Sequence, residues 1–450
     1  MSRAVPNKLV SYGTTPIGIS HKQFDITFNS QLPTNSSGGS IFKYNGLNRI
    51  LFTIPSYQNV FLDNARSHLA FTFKTTLNGT QLCTNLGTSC LFSRMIIKSG
   101  ANVLEDISNL DVLNKILTSM SDKDESRLSE ACYTREFSGG LTSAQTRVVA
   151  AKQKTGVELQ YIFRHGILHE HLKSFLPLHS MNPANGVAFT IELYLNDPTK
   201  VLQWDADTEP ANLSTASYEL SNVRYQMCLL KADQSIVDRF NNLSSDGRVV
   251  VPFSTFRAHQ NGLSAETTIT QIAEACSDLR RISTVIVSGS SKLMNKAVDN
   301  QYPAETSFLG GFENSTLKIK EYQLQVGNKF IFTESLKSET DNGAIMAQVK
   351  NASFSRGHGN MLLEAIDQTG LRPSFENTLF HLTSSFCYER SDLMVNGISL
   401  GSLPLIMKLT CNTIGSGNII VSQAECGLNL IIQNGMCSIA DSKDPGEFGY

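Results

Sequence analysis

The stretch Val187-Ala188-Phe189-Thr190-Ile191-Glu192-Leu193-Tyr194-Leu195 decides the fold class of this chain. Every odd-numbered position from 187 to 195 is apolar, whereas Thr190 and Glu192 lie between them. Side chains of a β-strand point alternately to its two faces, so this pattern predicts a strand with one buried face. A strand that is polar on its second face is typical of antiparallel sheets.

The same alternation recurs from end to end of the chain. It comprises Leu69, Phe71, Phe73 and Leu77; Val157, Leu159, Tyr161 and Phe163; Val223, Tyr225, Met227 and Leu229; and Leu403, Leu405, Met407, Leu409 and Cys411. Around Glu321 the apolar phase slips by one position, which predicts a β-bulge. Strands and helices do not alternate regularly, so the sequence predicts an all-β fold and argues against a parallel α/β sheet.

Helical spacing is confined to short segments. Residues 110–120 carry leucines at helical intervals after Asn109, an N-cap candidate. Residues 234–243 carry Ile236, Val237 and Phe240 at helical intervals after the N-cap candidate Asp233. Two weaker helices are expected, one through 344–349 and one through 269–276. We place all of them in loops between strands.

The strand-sized segments fall into two halves of about eight each, which fits two consecutive antiparallel sandwiches of some 200 residues. A chain of 450 residues also exceeds the usual size of one domain. Loops at 30–46, 121–155, 198–216 and 335–375 are long, and long loops are usually functional or disordered. The expected division is an N-terminal arm at 1–21, a first sandwich at 22–232, a helical linker at 233–247, a second sandwich at 248–440 and a tail at 441–450.

Charge and composition exclude several classes of protein. The chain has 38 basic and 40 acidic residues, a formal net charge of −2, so it lacks the basic footprint of a nucleic-acid-binding protein. Charged residues are 17%, against about 25% on average, and neutral polar residues replace them. A weakly charged surface repels its own copies little, which favours a protein that packs against itself.

Targeting signals and cysteine spacing point to an intracellular setting. We expect no secretory signal, because the first twenty residues lack an apolar core, and no membrane span, because no apolar run approaches 18 residues. The nine cysteines are scattered singly without a C-x-x-C pair. This pattern predicts reduced, mostly buried thiols.

A search for catalytic chemistry finds one cluster of possible metal ligands, His165, His169 and His171. On an extended strand the three side chains would share a face, so a metal site is geometrically conceivable. The cluster lacks the following glutamate of metal-binding cupins and is not His-Glu-x-x-His. We favour a solvent-facing polar strand end, with a protonation-sensitive subunit contact or a metal site as alternatives.

Other motifs also fail to define a catalytic site. Gly415-Ser416-Gly417 is too short for a nucleophile elbow, and 288–292 lacks the spacing of a phosphate-binding loop. We therefore expect no catalytic residue, no cofactor and no enzyme activity. Trp204, the only tryptophan, lies in an acidic loop. It is either a lid over the sandwich end or a subunit contact, since tryptophan is enriched in binding hot spots.

Several segments resemble the double jelly-roll major capsid proteins of the hexon-like lineage of double-stranded DNA viruses, including those of virophages and polinton-like viruses. The similarity is one of strand and turn patterns in the expected order, and it covers most of residues 50–435 in patches. It rests on Leu69–Leu77 with Phe92–Asp106; Phe175–Leu178 with Phe189–Leu195 and Tyr218–Val223; and Tyr322–Lys329 with Ser385–Arg390, Asn396–Ser399 and Leu405–Leu409. The insert 121–155, Tyr302-Pro303 and the first 45 residues have no recognisable counterpart.

The resemblance implies two consecutive eight-stranded antiparallel jelly rolls, with a few short helices in loops. It implies a major capsid protein whose homotrimer forms a pseudo-hexagonal capsomer and tiles into an icosahedral shell around a double-stranded DNA genome. The implied partners are further copies of the chain and a penton or minor capsid protein, without sequence-specific nucleic-acid binding; an inner membrane is left open. The implied location is the virion, assembled inside the host cell.

Two other classes remain open at this point. A jelly-roll receptor- or carbohydrate-binding virion surface protein would also be rich in strands, but it should show clustered surface aromatics. A cupin-like metal enzyme would require the histidine cluster to converge inside one sandwich.

Overall fold

The computed structural model describes sixteen segments of the chain, and every structural statement below refers to them. They are residues 24–36, 40–82, 87–120, 155–169, 175–204, 211–241, 248–272, 276–288, 310–311, 317–337, 348, 381–390, 393–395, 397–401, 403–412 and 417–441.

The first half of the chain contains twelve strands. They are β1 (Phe24–Gln31), β2 (Phe42–Lys43), β3 (Arg49–Pro55), β4 (Val60–Thr75), β5 (Thr80–Leu82), β6 (Phe92–Ser99), β7 (Asn102–Ser108), β8 (Thr155–Tyr161), β9 (Leu176–Pro177), β10 (Val187–Leu195), β11 (Leu202–Trp204) and β12 (Tyr218–Ala232).

These strands form two main antiparallel sheets. One has the order β1-β12-β4-β8, with β2 on β12 and β9 on β4, and the other has the order β3-β10-β6-β7. Numbered one to eight along the chain, the eight principal strands alternate between the sheets as 1-8-3-6 and 2-7-4-5. That order defines a jelly roll.

The second half contains thirteen strands. They are β13 (Arg248–Gly262), β14 (Thr267–Ile272), β15 (Leu279–Ser288), β16 (Gly310–Gly311), β17 (Leu317–Val326), β18 (Lys329–Phe330), β19 (Leu336–Lys337), β20 (Leu382–Ser385), β21 (Tyr388–Arg390), β22 (Leu393–Val395), β23 (Leu405–Cys411), β24 (Asn418–Gln433) and β25 (Met436–Asp441).

The second half repeats the strand order of the first. Its sheets are β13-β24-β15-β20, with β25 on β24, and β14-β23-β17. β18 and β19 both pair antiparallel with β17, and β16 pairs in parallel with the first two residues of β17. The fifth strand of this jelly roll is thus two short pieces instead of one continuous strand. The chain is a double jelly roll, as the resemblance implied.

The alternating patterns in the sequence form the core. Phe189, Ile191 and Leu193 are buried, and Thr190 is half-buried on the opposite face. Most residues of the other predicted apolar faces are also buried: Leu69, Phe71, Phe73, Leu159, Tyr161, Phe163, Val223, Tyr225, Met227, Leu229, Leu405, Met407, Leu409 and Cys411. Leu77 is half-buried, and Leu403 is wrong as a buried position, because it is 51% exposed and lies before β23 begins. The predicted bulge is confirmed, because the register of β17 against β23 shifts between Ile319 and Glu321.

In the described segments, three short α-helices can be followed from start to end: α1 (Leu110–Met120), α2 (Pro198–Val201) and α3 (Gln234–Asn241). α1 and α3 confirm two predicted helices. The helix expected through 269–276 is wrong, because Thr267–Ile272 is β14, where three threonines and two isoleucines favour an extended backbone. The helix expected through 344–349 lies outside the described residues except for position 348. None of the described helices has the length and hydropathy needed to span a membrane.

Candidate functional site

The two jelly rolls meet where two sheet edges face each other. β7 ends one sheet of the first roll, and β13 ends one sheet of the second. Between them lies Glu105 of β7, which is fully buried and accepts hydrogen bonds from Thr255 Oγ1 of β13 at 2.7 Å and from Ile167 N at 3.1 Å. We call this contact the joint. It covers two edges that would otherwise offer unpaired backbone groups.

Gly166 allows Glu105 to enter the joint. This glycine has φ +73, and a Cβ built on it would overlap the Glu105 carboxylate. A side chain at position 166 would therefore be strained in its backbone and would displace the carboxylate. Burial is the main cause that raises the pKa of Glu105, to about 7, although the hydrogen bonds from Thr255 and Ile167 act in the opposite direction.

Further hydrogen bonds cross between the rolls around the joint. Gln260 Nε2 donates to Asn109 Oδ1 at 2.7 Å, and Gln423 Nε2 donates to the backbone oxygens of Ser108 and Asn109 at 3.3 Å. Two more bonds involve the turn before β25 and β25 itself: Asn182 N donates to Gly435 O at 2.6 Å, and Asn102 Nδ2 to Cys437 O at 3.0 Å. The relative placement of the rolls is thus held by polar contacts.

A cluster of buried charges lies on β15, on β24 and at the residue that precedes β15 in the second roll. Arg281 Nε is 2.7 Å from Glu425 Oε2, and both side chains are buried. Arg280 Nε is 3.0 Å from Asp278 Oδ2, and Arg280 Nη1 donates to Ser254 Oγ at 2.8 Å. We call these four charged residues the charge cluster. Buried charges require such pairing, because an unpaired one costs several kcal/mol.

A bulge explains why two consecutive arginines both find buried acidic partners. The register of β15 against β24 shifts between Leu279 and Arg281, so Arg280 is the extra residue. A bulge interrupts the strict alternation of side chains and re-aims the inserted one. Asp278 is fixed in turn, since its Oδ1 accepts from Gly397 N at 2.6 Å.

The charge cluster also depends on a missing side chain. A Cβ at Gly427 would overlap Asp278 Oδ2 and lie 2.6 Å from Arg280 Nε. The backbone of Gly427 is itself engaged, because its N donates to Asp278 O at 2.8 Å. Gly427 therefore leaves the space that the Asp278–Arg280 ion pair occupies.

The histidine cluster is not the polar strand end that we expected. His165 is fully buried and not exposed to solvent, and Gly166–Leu168 form a 3-10 turn. The strand β8 already ends at Tyr161, and Gly166, with its left-handed backbone, begins the turn that contacts Glu105. His169 is half-buried, and His171 lies outside the described residues. Among the residues the structure describes, no three His, Cys, Asp or Glu side chains are grouped to hold a metal ion.

Trp204 lies at the end of β11, which pairs with β5, and Trp204 itself is opposite Thr80. Its side chain is partly buried and packs against the core of the first roll. This position fits the lid interpretation, and the exposed part of the ring leaves a subunit contact as a prediction.

Exposed apolar side chains are concentrated near the start of the described chain. Ten large apolar residues of the described segments are exposed, and five of them lie between positions 26 and 47. The clearest pair is Ile26, 51% exposed, and Phe28, 71% exposed, which share one face of β1. Among the described strands β1 pairs with β12 alone, so its second edge is open. We call Ile26, Phe28 and this edge the β1 strip.

A half-open groove of about 740 Å³ lies on the sheet of β17 and β23. Phe330 and Ile269 are exposed at it, and Lys408 and Glu321 form an ion pair of 3.0 Å within it. Two acidic and two basic side chains line the groove together with uncharged polar ones. This lining does not indicate a particular class of ligand.

Sequence reasoning missed Glu105, Thr255 and the charge cluster. In the sequence Glu105 is followed by a second acidic residue, Asp106, and Glu425 is a single acidic residue within a strand, and nothing local indicates that another part of the chain buries either glutamate. A usable signal was Arg280-Arg281 inside a strand that is otherwise uncharged, because two consecutive charges on a buried strand require partners.

Comparison with solved structures supports the fold over nearly the whole chain. The PBCV-1 protein Vp54, fitted into a cryo-EM reconstruction of the virophage Sputnik, is 11% identical, with a TM-score of 0.60 over 95% of this chain and 99% of the other. The Faustovirus major capsid protein is 10% identical, with a TM-score of 0.53 and 91% of each chain covered. The mavirus major capsid protein is 9% identical, with a TM-score of 0.51 over 95% of this chain and 92% of the other. No protein-family model and no curated protein sequence matches the chain.

Proposed function

We propose that this chain is a major capsid protein whose homotrimer forms a pseudo-hexagonal capsomer and tiles into an icosahedral virion shell around double-stranded DNA. The observation that carries the proposal is the repeated jelly-roll order within one chain, which also aligns with two proteins named as major capsid proteins over more than nine-tenths of this chain. At these identities the likeness establishes the fold, and the function is inferred from it.

The surface of the chain supports assembly with its own copies. The formal net charge is −2, so copies repel one another weakly. The β1 strip offers apolar side chains and an open strand edge, the features that favour association with another chain. We propose a second copy of this chain as the occupant of the β1 strip. In a closed trimer this contact would occur three times. Each time, the β1 strip of one copy would contact the same second surface, distinct from the strip, on the next copy.

The proposal also includes the partners, the location and the organisation of the chain. Neighbouring trimers and a penton or minor capsid protein are the expected partners, and the virion, assembled in the host cell, is the expected location. The chain would act structurally, without catalysis.

We propose that residues 22–232 and 248–440 form the two units and that 233–247 links them.

Light scattering on the purified protein tests the proposal. Three chains of 49.4 kDa give about 148 kDa. An obligate interface buries more than about 2,000 Å², so the trimer should persist on dilution to nanomolar concentrations. Electron microscopy of the native source should then show hexagonally arrayed capsomers. A folded monomer of 49.4 kDa that never associates would contradict the proposal and favour a monomeric receptor-binding protein.

A further inference from the structure

We propose that the joint between the two jelly rolls is a proton-controlled contact, tight when Glu105 is protonated and weakened when it is ionised. The proposal concerns a single chain and does not depend on the proposed capsid function.

The geometry of the joint carries the inference. Glu105 Oε1 accepts from the hydroxyl of Thr255, and Glu105 Oε2 accepts from the backbone N of Ile167. Both donors are neutral, and the carboxyl group is fully buried. An ionised carboxylate in such a place lacks a compensating positive charge, which makes the ionised state costly.

The same site accommodates the protonated form well. A hydroxyl both donates and accepts, so a protonated Glu105 can donate to Thr255 Oγ1 while Ile167 N still donates to the other oxygen. Gly166 holds the turn against the carboxyl without a side chain of its own. Opening the joint would expose Glu105 to water, where its negative charge is stable, so ionisation favours the open state.

Charged groups on the surrounding elements do not neutralise Glu105. These elements carry Arg164, His165 and His169 before and after the turn, Arg257 and His259 on β13, Lys98 on β6, Asp106 on β7 and Cys437 on β25. Lys98 is paired with Glu192, and Asp106 with Arg94. The pKa of Glu105 is raised by burial and lowered by its two neutral hydrogen bonds, and no charged side chain of the described residues is among its causes.

Hydrogen exchange of the intact protein, followed by mass spectrometry between pH 5 and 8.5, tests the inference. After correction for intrinsic exchange rates, protection of peptides covering 100–108 and 160–169 should fall as pH rises from 5 and should level off above about 7, where Glu105 is ionised in the closed state as well. The fall should be large, up to about a few hundredfold for a pKa raised by this much. A peptide covering β23, in the core of the second roll, should change far less.

Two variants and one control decide the outcome. Glu105→Gln keeps the shape without the charge, so its protection at the joint should not depend on pH. Thr255→Val removes a hydrogen bond that lowers the pKa of Glu105. Protection at the joint should therefore still depend on pH, and the midpoint of that dependence should move to higher pH. Glu158→Gln, the same change at an exposed carboxylate on β8, should retain the wild-type profile. Protection that is independent of pH in the wild type, or an unchanged profile in Glu105→Gln, would overturn the inference. If Glu105→Gln does not fold, an unshifted midpoint in Thr255→Val would overturn it.

Discussion

Arg280 Nε donates to Asp278 Oδ2 at 3.0 Å at the position where Gly427 leaves room for both side chains. A methyl group at position 427 would collide with this ion pair and would force two buried charges apart. We expect Gly427→Ala to lower the free energy of unfolding by about 3 kcal/mol, at the upper end of the usual cost of overpacking. Urea unfolding followed by circular dichroism measures the loss.

Gly262, at the end of β13, provides the matched control. A Cβ built there meets nothing within 4 Å. Gly262→Ala should change the free energy of unfolding by less than about 1 kcal/mol. Equal losses in the two alanine variants would show that the fit at Gly427 is not the cause.

Removing one charge of the Arg281–Glu425 pair should lower the free energy of unfolding more than replacing both charged residues with apolar ones. Glu425→Gln leaves the buried guanidinium of Arg281 without its anion, and we expect a loss of about 3–5 kcal/mol. The double variant Arg281→Met with Glu425→Met removes both charges and should be more stable than Glu425→Gln. A double variant that is less stable than the single one would contradict this account of the charge cluster.

Phe189 and Thr190 test the register of β10. Phe189 is 1% exposed in the core of the first roll, and Thr190 lies on the other face, opposite Thr53 and Lys98. Phe189→Ala should cost about 3–5 kcal/mol through lost burial and a residual cavity. Thr190→Ala should cost less than about 1 kcal/mol. Similar losses at both positions, measured by urea unfolding, would mean that the register is wrong.

Glu105 and His381 should give opposite dependences of stability on pH. Burial lowers the pKa of His381 to about 3, so the unfolded chain binds more protons than the folded one below pH 6.5, and stability is lost as pH falls. Glu105, with its pKa raised to about 7, favours the folded chain at low pH and loses stability as pH rises from 4.5 to 7.

Difference curves against the wild type separate the two groups. As pH rises from 4.5 to 8, the free energy of unfolding of Glu105→Gln should increase by up to about 3 kcal/mol relative to that of the wild type. For His381→Gln, the free energy of unfolding relative to that of the wild type should increase as pH falls from 6.5 to 4. Curves that run parallel to the wild type, from urea unfolding at each pH, would contradict both assignments.

Phe28 offers a test of assembly that is separate from folding. Phe28 is 71% exposed in the single chain, so Phe28→Asp should leave the fold of the chain intact, as circular dichroism would show. If a second copy covers the β1 strip, the same change should shift the trimer toward smaller species in light scattering. Trp204 is less suitable, since it is partly buried and a charge there would also disturb the fold. Ile269→Asp, equally exposed on β14, is the control, and a trimer that withstands Phe28→Asp would exclude the β1 strip from the interface.

The positions of the strands can be predicted from the sequence better than the contacts between residues far apart in the chain. Alternation is a local property, so the buried faces of β10 and β23 and the bulge in β17 can be recognised from neighbouring residues. The error at 269–276 has a local cause as well, because isoleucines three apart fit a helix or a strand of mixed burial. The threonines of β14 are the residues that favour the strand.

Long-range contacts escape local patterns. Glu105 and Thr255 are 150 residues apart and belong to different rolls, and no periodicity in either segment refers to the other. His165 was expected at the surface for the same reason: its segment is polar, but the edge of the second roll covers the neighbouring turn. The charge cluster likewise depends on the pairing of β15 with β24, which are about 140 residues apart.

The free thiols described by the structure bear on chemical durability. The described segments contain seven cysteine thiols outside disulfides, of which six are buried and Cys387 is partly exposed. Burial raises the pKa of Cys228 to about 11 and that of Cys411 to about 12, so these groups stay protonated at neutral pH. Because the thiolate is the form that reacts with oxidants, such thiols oxidise slowly. Transfer of the folded chain from a reducing to an oxidising medium should therefore leave Cys228 and Cys411 as thiols.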